Sequence, residues 1–569
     1  MGSGSSIVQR PAVADDPRAS AIISEAQSKL TDDQLVKLVH QMEYHLEAKL
    51  DDSWKICNDL INVASCKSTG KKVPKVRYGK TELQMPIVTC GGMRLQQTWM
   101  PDVIPVLSPK KMTHISKKCQ NNLVECVRMS LKLGINHFET ARFYGTSELQ
   151  FVDAICEMIE SGEIKREDII VQTKVTPAKT NKEFKKTFDA SWKHMHKIGY
   201  IDLFSFHGLN NDKQFDWVFQ EGGNFAIAEE LLAEGKIKHV GFSTHGTPDL
   251  IRKTIETDKM EYVNIHYHYF GSYHSSFYAD GDGGQGNALN VKLAKDRDMG
   301  VFIISPVDKG GALYSPTKTV VDAVYPLSPI GFQSMWLWEQ GCDTISIGIS
   351  KPSDFDEVVA AALQWQEPES KELVASAASK LDEIYASVMG PFIDFWKGVP
   401  TMWEEKSQGI AVSHIIWLWG LVKAFGMVCF AKDRYKSMES ENAKWKDKKD
   451  TLTNIGNFSF NPGRHWDPKV NYDAALEGNR FKKEIVERME ETHNWLNSKT
   501  GTLGKTDNEA YTLKTWESFP GDDITVGQVI LQNVSGGMAG AGGGTTSSYR
   551  RNSAEIRGFF KEGGEEKDN

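Results

Sequence analysis

The stretch Ile169-Ile-Val-Gln-Thr-Lys174 precedes an amphipathic run over Lys182–Lys197, and Ile201-Asp-Leu-Phe-Ser-Phe-His207 follows it. The two short apolar runs are typical of buried β-strands, and the segment between them has the apolar spacing of a helix. Strands that alternate with helices of this length indicate βαβ units, in which the strands are parallel. This stretch therefore predicts an α/β fold built on a parallel sheet.

The same alternation extends on both sides of this stretch, from about Lys75 to Leu363. An N-terminal hairpin is predicted at Val76–Met85, and further helices at Asn122–Leu133 and Asn287–Arg297. The predicted strands are Ile87–Cys90, His137–Thr140, Ile169–Lys174, Ile201–His207, His239–Ser243, Tyr262–Tyr267, Val301–Ser305 and Thr344–Gly348. Eight βα repeats fit a (β/α)8 TIM barrel better than an open, doubly wound sheet.

The segments outside the barrel differ in composition. We predict a disordered lead, a helical extension around Thr31–Ala64 and a linker within residues 1–74, and the barrel over residues 75–370. A helical C-terminal region is expected over residues 371–500. Residues 501–569 include a Gly-rich run and end in charged residues, which predicts a mostly disordered tail.

Composition and charge limit the partners and the compartment. The 569 residues are 40% hydrophobic and 25% charged, which matches an ordinary soluble globular protein. The formal net charge of −8 and the scattered basic residues argue against nucleic acid as a partner. The eight cysteines form no CxxC or metal-ligand spacing, so we expect reduced thiols and a cytoplasmic protein.

No secretory signal is expected, because no charged segment followed by an apolar run opens the chain. The apolar run Ile415–Phe430 is shorter than the roughly 20 residues needed to span a membrane, and Lys423 interrupts it. We therefore predict a buried or docking helix and no transmembrane segment. The start Met1-Gly-Ser-Gly-Ser-Ser6 fits N-myristoylation at Gly2, which would give reversible membrane association; a cloning remnant or a plain disordered start is an equal alternative.

Four polar residues lie at the ends of three consecutive predicted strands. Glu139 ends the second strand and Tyr144 follows it in the loop, Lys174 ends the third strand, and His207 ends the fourth. Taken singly, a strand-end lysine is usually a solvated cap, and a lone histidine is usually a satisfied core residue. In a (β/α)8 barrel, however, the C-terminal ends of the strands build the active site. Together the four suit carbonyl reduction: Tyr144 donates a proton, Lys174 lowers its pKa, Glu139 holds the ammonium, and His207 orients the carbonyl oxygen.

Several segments in this order resemble those of the aldo-keto reductase family. Phe138-Glu-Thr-Ala-Arg-Phe-Tyr-Gly-Thr-Ser-Glu148 and Gln172-Thr-Lys-Val175 resemble the segments of its catalytic tetrad. Asp202-Leu-Phe-Ser-Phe-His-Gly-Leu-Asn210, Gly235-Lys-Ile-Lys-His-Val-Gly-Phe-Ser243 and Ile304-Ser-Pro-Val-Asp-Lys-Gly-Gly311 resemble its fourth, fifth and seventh strand motifs. The resemblance covers about half of the chain and implies an NAD(P)H-dependent enzyme that reduces an aldehyde or ketone. It assigns Tyr144 as the acid, and Glu139 stands where the family usually has Asp.

The resemblance also implies a nicotinamide dinucleotide that lies extended over the barrel mouth without a GxGxxG loop. Its expected contacts are Gly92 and Met93 near the nicotinamide, Ser243 and Asn264 at its carboxamide, and Ile304 where many members stack a tyrosine. Further along, they are Ser305, Val307 and Lys309 near the diphosphate, Ser350 and Lys351 at a 2′-phosphate, and Glu357 at the adenine. Lys351 favours NADPH, and NADH stays an alternative.

The helical segment Gly409–Tyr435 resembles a branch of the family that carries a C-terminal ferredoxin-like iron–sulfur module. Such a cluster needs four thiolates. Between Asp343 and Val428 the chain has no cysteine, and Cys429 stands alone after it. We therefore predict no iron–sulfur cluster and no other metal, with the module kept as a helical cap.

Two other functions stay open at this point. Glu139, Ile304 and the missing cluster cysteines fit a nicotinamide-nucleotide-binding regulatory or scaffold protein with weak or no catalysis. Alternatively, the Trp-rich C-terminal helices could bind a partner protein.

Overall fold

The computed structural model describes residues 71–97, 115–271, 286–314, 316–402, 404–447 and 463–497. The predicted helical extension, the N-myristoylation pattern at Gly2 and the predicted disordered tail lie outside these residues.

Eight parallel strands close into a barrel, so the predicted (β/α)8 fold is confirmed. The last barrel strand, β10 (Thr344–Gly348), pairs with the first, β3 (Val88–Gly91), and with β9 (Gly300–Ile304), which closes the barrel. The barrel strands are β3 (Val88–Gly91), β4 (His137–Glu139), β5 (Ile170–Val175), β6 (Ile201–His207), β7 (Ile237–Ser243), β8 (Tyr262–Ile265), β9 (Gly300–Ile304) and β10 (Thr344–Gly348). Two of the predicted strands have the observed bounds; three others are shifted by one residue at both ends, and the remaining three differ by one or two residues at one end.

A short antiparallel hairpin precedes the barrel and plugs its N-terminal end. It consists of β1 (Lys75–Arg77) and β2 (Gln84–Pro86). Tyr78, between these strands, is fully buried in an interior cluster with Tyr262 and Phe302. A side chain at Gly300 would come within 2.4 Å of the Tyr78 ring, so only glycine fits there. Because this end is filled, the barrel opens at the C-terminal ends of its strands.

Helices surround the barrel, and six of them begin at a Ser, Thr or Asn whose side chain accepts a backbone N–H, which is the usual chemistry of a helix start. In chain order they are α1 (Lys117–Lys132), α2 (Ser147–Glu160), α3 (Asn181–Met195), α4 (Asp212–Phe219), α5 (Asn224–Ala233), α6 (Pro248–Ile255), α7 (Ala288–Asp296), α8 (Lys318–Val324), α9 (Pro329–Glu339) and α10 (Asp356–Gln364).

The predicted helical C-terminal region is present and packs against the barrel. Its helices are α11 (Ser370–Met389), α12 (Val412–Phe425), α13 (Val428–Asp447), α14 (Tyr472–Ala475) and α15 (Lys482–Leu496). Helix α12 carries most of the apolar run considered above, and nearly all of its side chains are buried. Trp417 donates a 2.9 Å hydrogen bond to the carbonyl of Phe270, in the loop after β8, so α12 is a docking helix. Within the described residues, no helix has the length and apolar character needed to cross a membrane.

Candidate active site

The four residues predicted to be catalytic lie around one cavity of about 330 Å³ at the open end of the barrel. Glu139 ends β4, Lys174 is the fifth residue of β5 and His207 ends β6, while Tyr144 lies in the loop before α2. Parallel strands with this register present their C-terminal residues at one rim, which is why residues far apart in the sequence meet here.

Glu139 and Lys174 form a buried ion pair: Oε1 of the carboxylate contacts Nζ of the ammonium. The ammonium also donates a 2.8 Å hydrogen bond to the carbonyl of Thr140. Burial lowers the pKa of Lys174, whereas the contacting carboxylate stabilises its charged form. The pair fixes the position of the ammonium beside Tyr144.

The Tyr144 hydroxyl lies close to this ion pair. It donates a long hydrogen bond of 3.4 Å to Oε1 of Glu139, and the Lys174 ammonium is 4.8 Å from the centre of its ring. Burial raises the pKa of Tyr144 above its ordinary value, so the lowering expected from Lys174 does not prevail in this arrangement. The phenol therefore keeps its proton at neutral pH, which is the state a proton donor requires.

His207 packs edge-on against Tyr144, with ring centres 5.7 Å apart. Burial, together with the charges of Lys174 and Lys309, lowers the pKa of His207 to about 3. Its imidazole is therefore neutral at physiological pH, and Nδ1 is buried without a hydrogen-bond partner among the described residues. A neutral histidine in this place can donate one hydrogen bond into the cavity.

Five of the residues predicted to bind the cofactor line the same cavity: Met93, Ser243, Ile304, Ser305 and Lys309. Burial lowers the pKa of Lys309 to about 8, with Arg434 and Arg94 adding to the effect and Asp308 opposing it.

Two further predicted cofactor residues lie just behind the cavity wall. Gly92 donates a backbone hydrogen bond of 2.7 Å to the carbonyl of Glu139, and a side chain at Gly92 would collide with Phe151. Asn264 pairs with Ser243 across β7 and β8 and is fully buried. Neither the nitrogen nor the oxygen of its side-chain amide has a hydrogen-bond partner among the described residues. Such an orphaned amide fits a residue that binds a carboxamide, because buried polar groups are normally paired.

Val307, Ser350, Lys351 and Glu357 are not among the described residues of the cavity wall. Near the start of the turn before α10, the backbone N–H groups of Ser350 and Lys351 donate to a carboxylate oxygen of Asp354, at 2.7 and 3.2 Å. The amides expected to favour an anion are therefore already bonded to an acidic side chain. The Ser350 hydroxyl is buried and has no partner in the described part of the chain.

Sequence reasoning missed a pair of charged residues that crosses the cavity. Nη2 of Arg94 lies 3.6 Å from a carboxylate oxygen of Asp308, and Nη1 donates to the carbonyl of Gly348 at 3.3 Å. Burial raises the pKa of Asp308, but Arg94 and other nearby groups outweigh burial and lower the pKa below its ordinary value. Arg94 directly follows Met93, and Asp308 lies within the motif Ile304–Gly311, but nothing local in the sequence joins the loop after β3 to the loop after β9.

Phe143 and His245 also line the cavity and were not predicted to do so. Phe143 is 55% exposed, which is unusual for a phenylalanine, and its ring centre lies 6.2 Å from that of His207. Its place directly before Tyr144 was the signal that could have revealed it.

The described residues contain no group of three or more His, Cys, Asp or Glu side chains arranged to hold a metal ion. The structure describes the backbone of Cys429 but not its side chain. The absence of an iron–sulfur cluster therefore stays a prediction from the sequence.

Comparison with known proteins agrees with this geometry. The sequence profile described as "Aldo/keto reductase family" matches residues 89–314. This segment is an aldo/keto reductase domain. It contains all four residues predicted to be catalytic, while β10 and the predicted adenosine-phosphate segment follow it.

Two similar proteins are oxidoreductases whose names give no substrate. This chain is 30% identical over 133 residues to the uncharacterized oxidoreductase C2F3.05c of Schizosaccharomyces pombe. The match covers 23% of this chain and 44% of that protein. It is 28% identical over 151 residues to the uncharacterized oxidoreductase YtbE of Bacillus subtilis, covering 26% and 50%. The alignments thus span about half the length of these relatives.

Solved structures similar to this chain include an aldo-keto reductase from Bacillus halodurans, with 17% identity, a TM-score of 0.39, and coverage of 54% of this chain and 96% of that one. The aldose reductase of Schistosoma japonicum has 16% identity and a TM-score of 0.37, and the match covers 54% and 91% of the two chains.

Proposed function

We propose that this chain is an NADPH-dependent oxidoreductase that reduces an aldehyde or a ketone to an alcohol, with Tyr144 as the proton donor. The observation that carries the proposal is the arrangement of Glu139, Lys174, Tyr144 and a neutral His207 around one cavity. The aldo/keto reductase domain and the oxidoreductase relatives support the same class of reaction.

The residues present fit a nicotinamide dinucleotide, which supplies a hydride when it is bound. The orphaned amide of Asn264, with Ser243, would bind the carboxamide, and Ile304 would give the nicotinamide an apolar contact. Lys309 and Ser305 would contact the diphosphate, and the buried Ser350 hydroxyl with Lys351 a 2′-phosphate.

The remaining chemistry belongs to the side chains of the site. His207, as a neutral imidazole, donates a hydrogen bond to the carbonyl oxygen of the substrate and so orients it. Tyr144 transfers its proton to that oxygen as negative charge develops there. Lys174 stabilises the tyrosinate that remains, and Glu139 keeps the ammonium beside it. The charge left on Tyr144 is therefore shared with a buried cation before a proton from solvent restores the phenol.

The alternative function is binding of a nicotinamide nucleotide with weak or no catalysis. One observation favours it. Oε1 of Glu139 contacts both Lys174 and Tyr144, so the Tyr144 hydroxyl donates its hydrogen bond to the carboxylate and not into the cavity, where a proton donor would have to direct it.

One experiment separates the two functions. A panel of aldehydes and ketones is mixed with the purified chain and NADPH or NADH, while the absorbance of the reduced nicotinamide is followed. NADPH binding is measured in parallel by the change in protein fluorescence. Turnover with any carbonyl supports reduction, whereas tight NADPH binding without turnover across the panel supports the alternative.

Location and partners are also proposals. We expect a cytoplasmic enzyme whose partner is a small carbonyl substrate. Membrane association through Gly2 is tested by cell fractionation of the chain and of Gly2→Ala. Size-exclusion chromatography with light scattering measures the oligomeric state.

A further inference from the structure

A second buried carboxylate, Glu148, lies four residues after Tyr144, in the first turn of α2. Its side chain is 1% exposed. It is not among the described residues that line the cavity, so it has no direct contact with the reacting atoms.

Three donors from three separate elements meet at this carboxylate. Nη1 of Arg142 is 3.3 Å from Oε2, the Thr173 hydroxyl donates to Oε1 at 2.6 Å, and the Ser191 hydroxyl also donates to Oε1. Arg142 is itself buried, with 6% of its side chain exposed. Glu148 is therefore the shared acceptor of a loop, a strand and a helix.

Two of those donors adjoin the proposed catalytic groups. Arg142 lies two residues before Tyr144, and Thr173 lies directly before Lys174 on β5. Side chains alternate along a strand, so Thr173 points to the outside of the barrel while Lys174 points inward. The carboxylate thus connects, from behind, the loop that carries the phenol and the strand that carries the ammonium.

Further hydrogen bonds, one between backbone groups and one between side chains, tie the same elements together. The Arg142 N–H donates to the carbonyl of Lys174 at 3.0 Å, and the Thr140 hydroxyl donates to the Ser147 hydroxyl at 2.8 Å. The Thr140–Ser147 bond joins the two ends of the Tyr144 loop (residues 140–147). Between those ends, Arg142 is held by its backbone N–H and by its ion pair with Glu148.

A buried ion pair is weak evidence for stability, because removing two charges from water offsets most of their attraction. An apolar pair of similar size could fill the same space. The desolvation of Glu148 and Arg142 is explained if their ion pair specifies one conformation of the Tyr144 loop, because specifying one conformation is the best supported use of buried polar groups.

We propose that Glu148 is a positioning residue, which holds the Tyr144 loop against β5 so that the phenol stays beside the Lys174 ammonium. The inference rests on the proposed function, since it concerns the placement of the proton donor. It gives Glu148 a role through Arg142 and Thr173 rather than through the substrate.

The test is Glu148→Gln, which keeps the shape of the side chain and removes its charge. We expect kcat to fall by about 10- to 100-fold, because a misplacement of about 1 Å at a reacting group can cost about 100-fold. The Kd of NADPH should stay within about twofold of the wild-type value, because no cofactor contact changes. The KM for the carbonyl should change by less than kcat, because Glu148 contacts neither the substrate nor the cofactor and acts only on the placement of the proton donor.

Two control variants separate positioning from simple loss of a carboxylate. Glu157→Gln lies on the same helix, where the carboxylate is exposed and 3.8 Å from Arg128, and should leave kcat unchanged. Ser191→Ala removes one hydrogen bond from Glu148 but leaves both connections to the catalytic elements, and should have a much smaller effect than Glu148→Gln.

If Glu148→Gln does not fold, Arg142→Met and Thr173→Val each remove one connection singly. Each should lower kcat and change the KM for the carbonyl by less. A folded Glu148→Gln, or both of these variants, with wild-type kcat would overturn the proposal. So would a variant that loses thermal stability alone and keeps full kcat in its folded fraction.

Failure of the proposed function is recognised separately, as a wild-type chain that reduces no carbonyl in the panel. The placement of Tyr144 is then read from crystal structures of the wild type and of Glu148→Gln, as the distance from the Tyr144 hydroxyl to the Lys174 ammonium. A distance that is longer by about 1 Å in Glu148→Gln supports positioning, and an unchanged distance overturns it.

Discussion

The Tyr144 hydroxyl donates a 3.4 Å hydrogen bond to Oε1 of Glu139, the same atom that contacts the Lys174 ammonium. The longer side chain of glutamate brings one oxygen within reach of both groups. An aspartate at this position would end one methylene earlier, so it could not hold the same contacts without a shift of the strand. Glu139 therefore has a defined place in the site.

Glu139→Gln should slow reduction by about 10-fold or more, because a buried ammonium without its carboxylate favours the neutral form and stabilises the tyrosinate less. Breaking a buried pair on one side should also cost about 3–5 kcal/mol of unfolding free energy. The measurements are kcat/KM across pH and urea denaturation. Wild-type rates and pH profile in this variant would show that the carboxylate takes no part.

Glu139→Asp tests whether the site has adapted to the longer side chain. We expect it to be impaired, because the shared oxygen can no longer reach both Tyr144 and Lys174. The measurement is kcat/KM with the same carbonyl as for wild type. Higher activity than wild type would instead indicate a site that is losing function.

Tyr144→Phe should abolish turnover while the Kd of NADPH stays nearly unchanged, since only the proton donor is removed. Tyr200→Phe is the matched control: this tyrosine stacks under Arg166 at 3.9 Å and is not among the described cavity residues. Equal kcat in wild type and Tyr144→Phe would exclude this phenol as the acid.

His207 should contribute no limb to the pH–rate profile between about pH 5 and about pH 8. Its pKa lies at about 3, so the imidazole is neutral throughout that range. His207→Gln keeps a hydrogen-bond donor and should retain more kcat than His207→Ala. A limb near the ordinary histidine pKa that disappears in His207→Gln would contradict the neutral assignment.

Two fully buried histidines should make the fold sensitive to mild acid. Burial lowers the pKa of His137 and of His268 from 6.5 to about 3, so the unfolded chain takes up their protons first as the pH falls. The stabilisation of the fold by these two neutral histidines is therefore complete above about pH 6.5, and it is lost progressively as the pH falls toward about 3. Urea midpoints should be lower at about pH 5 than at about pH 7.5, and His137→Gln should reduce that difference. Equal urea midpoints at the two pH values would contradict this proton linkage.

Lys351→Ala should raise the KM for NADPH by about 10-fold and leave that for NADH nearly unchanged, because one phosphate contact is worth about 1.4 kcal/mol. Lys371→Ala, at an exposed position 3.9 Å from Glu339, is the matched control. The two Michaelis constants of each variant are compared at one ionic strength. A parallel rise for both cofactors would place Lys351 elsewhere than at the 2′-phosphate.

The alternation of strands and helices was sufficient to predict the barrel, because side-chain periodicity and turn chemistry act over a few residues. The same alternation was sufficient to predict that Glu139, Lys174 and His207 lie at one rim of the barrel, since parallel strands all end on the same side. The resemblance of the surrounding motifs then pointed to the class of reaction. The predicted ends of six strands differ from the observed ends by one or two residues, because pairing with neighbouring strands decides where a strand ends.

Only the tertiary structure decided which side chains touch. The two contacts of Glu139 Oε1, the pairing of Arg94 with Asp308 and the three donors on Glu148 join residues from different elements. Each contact depends on strand register and on one rotamer at each partner, and neither follows from local sequence pattern. The partnerless amide of Asn264 has the same origin, because burial is set by what packs around a residue and not by the residue itself.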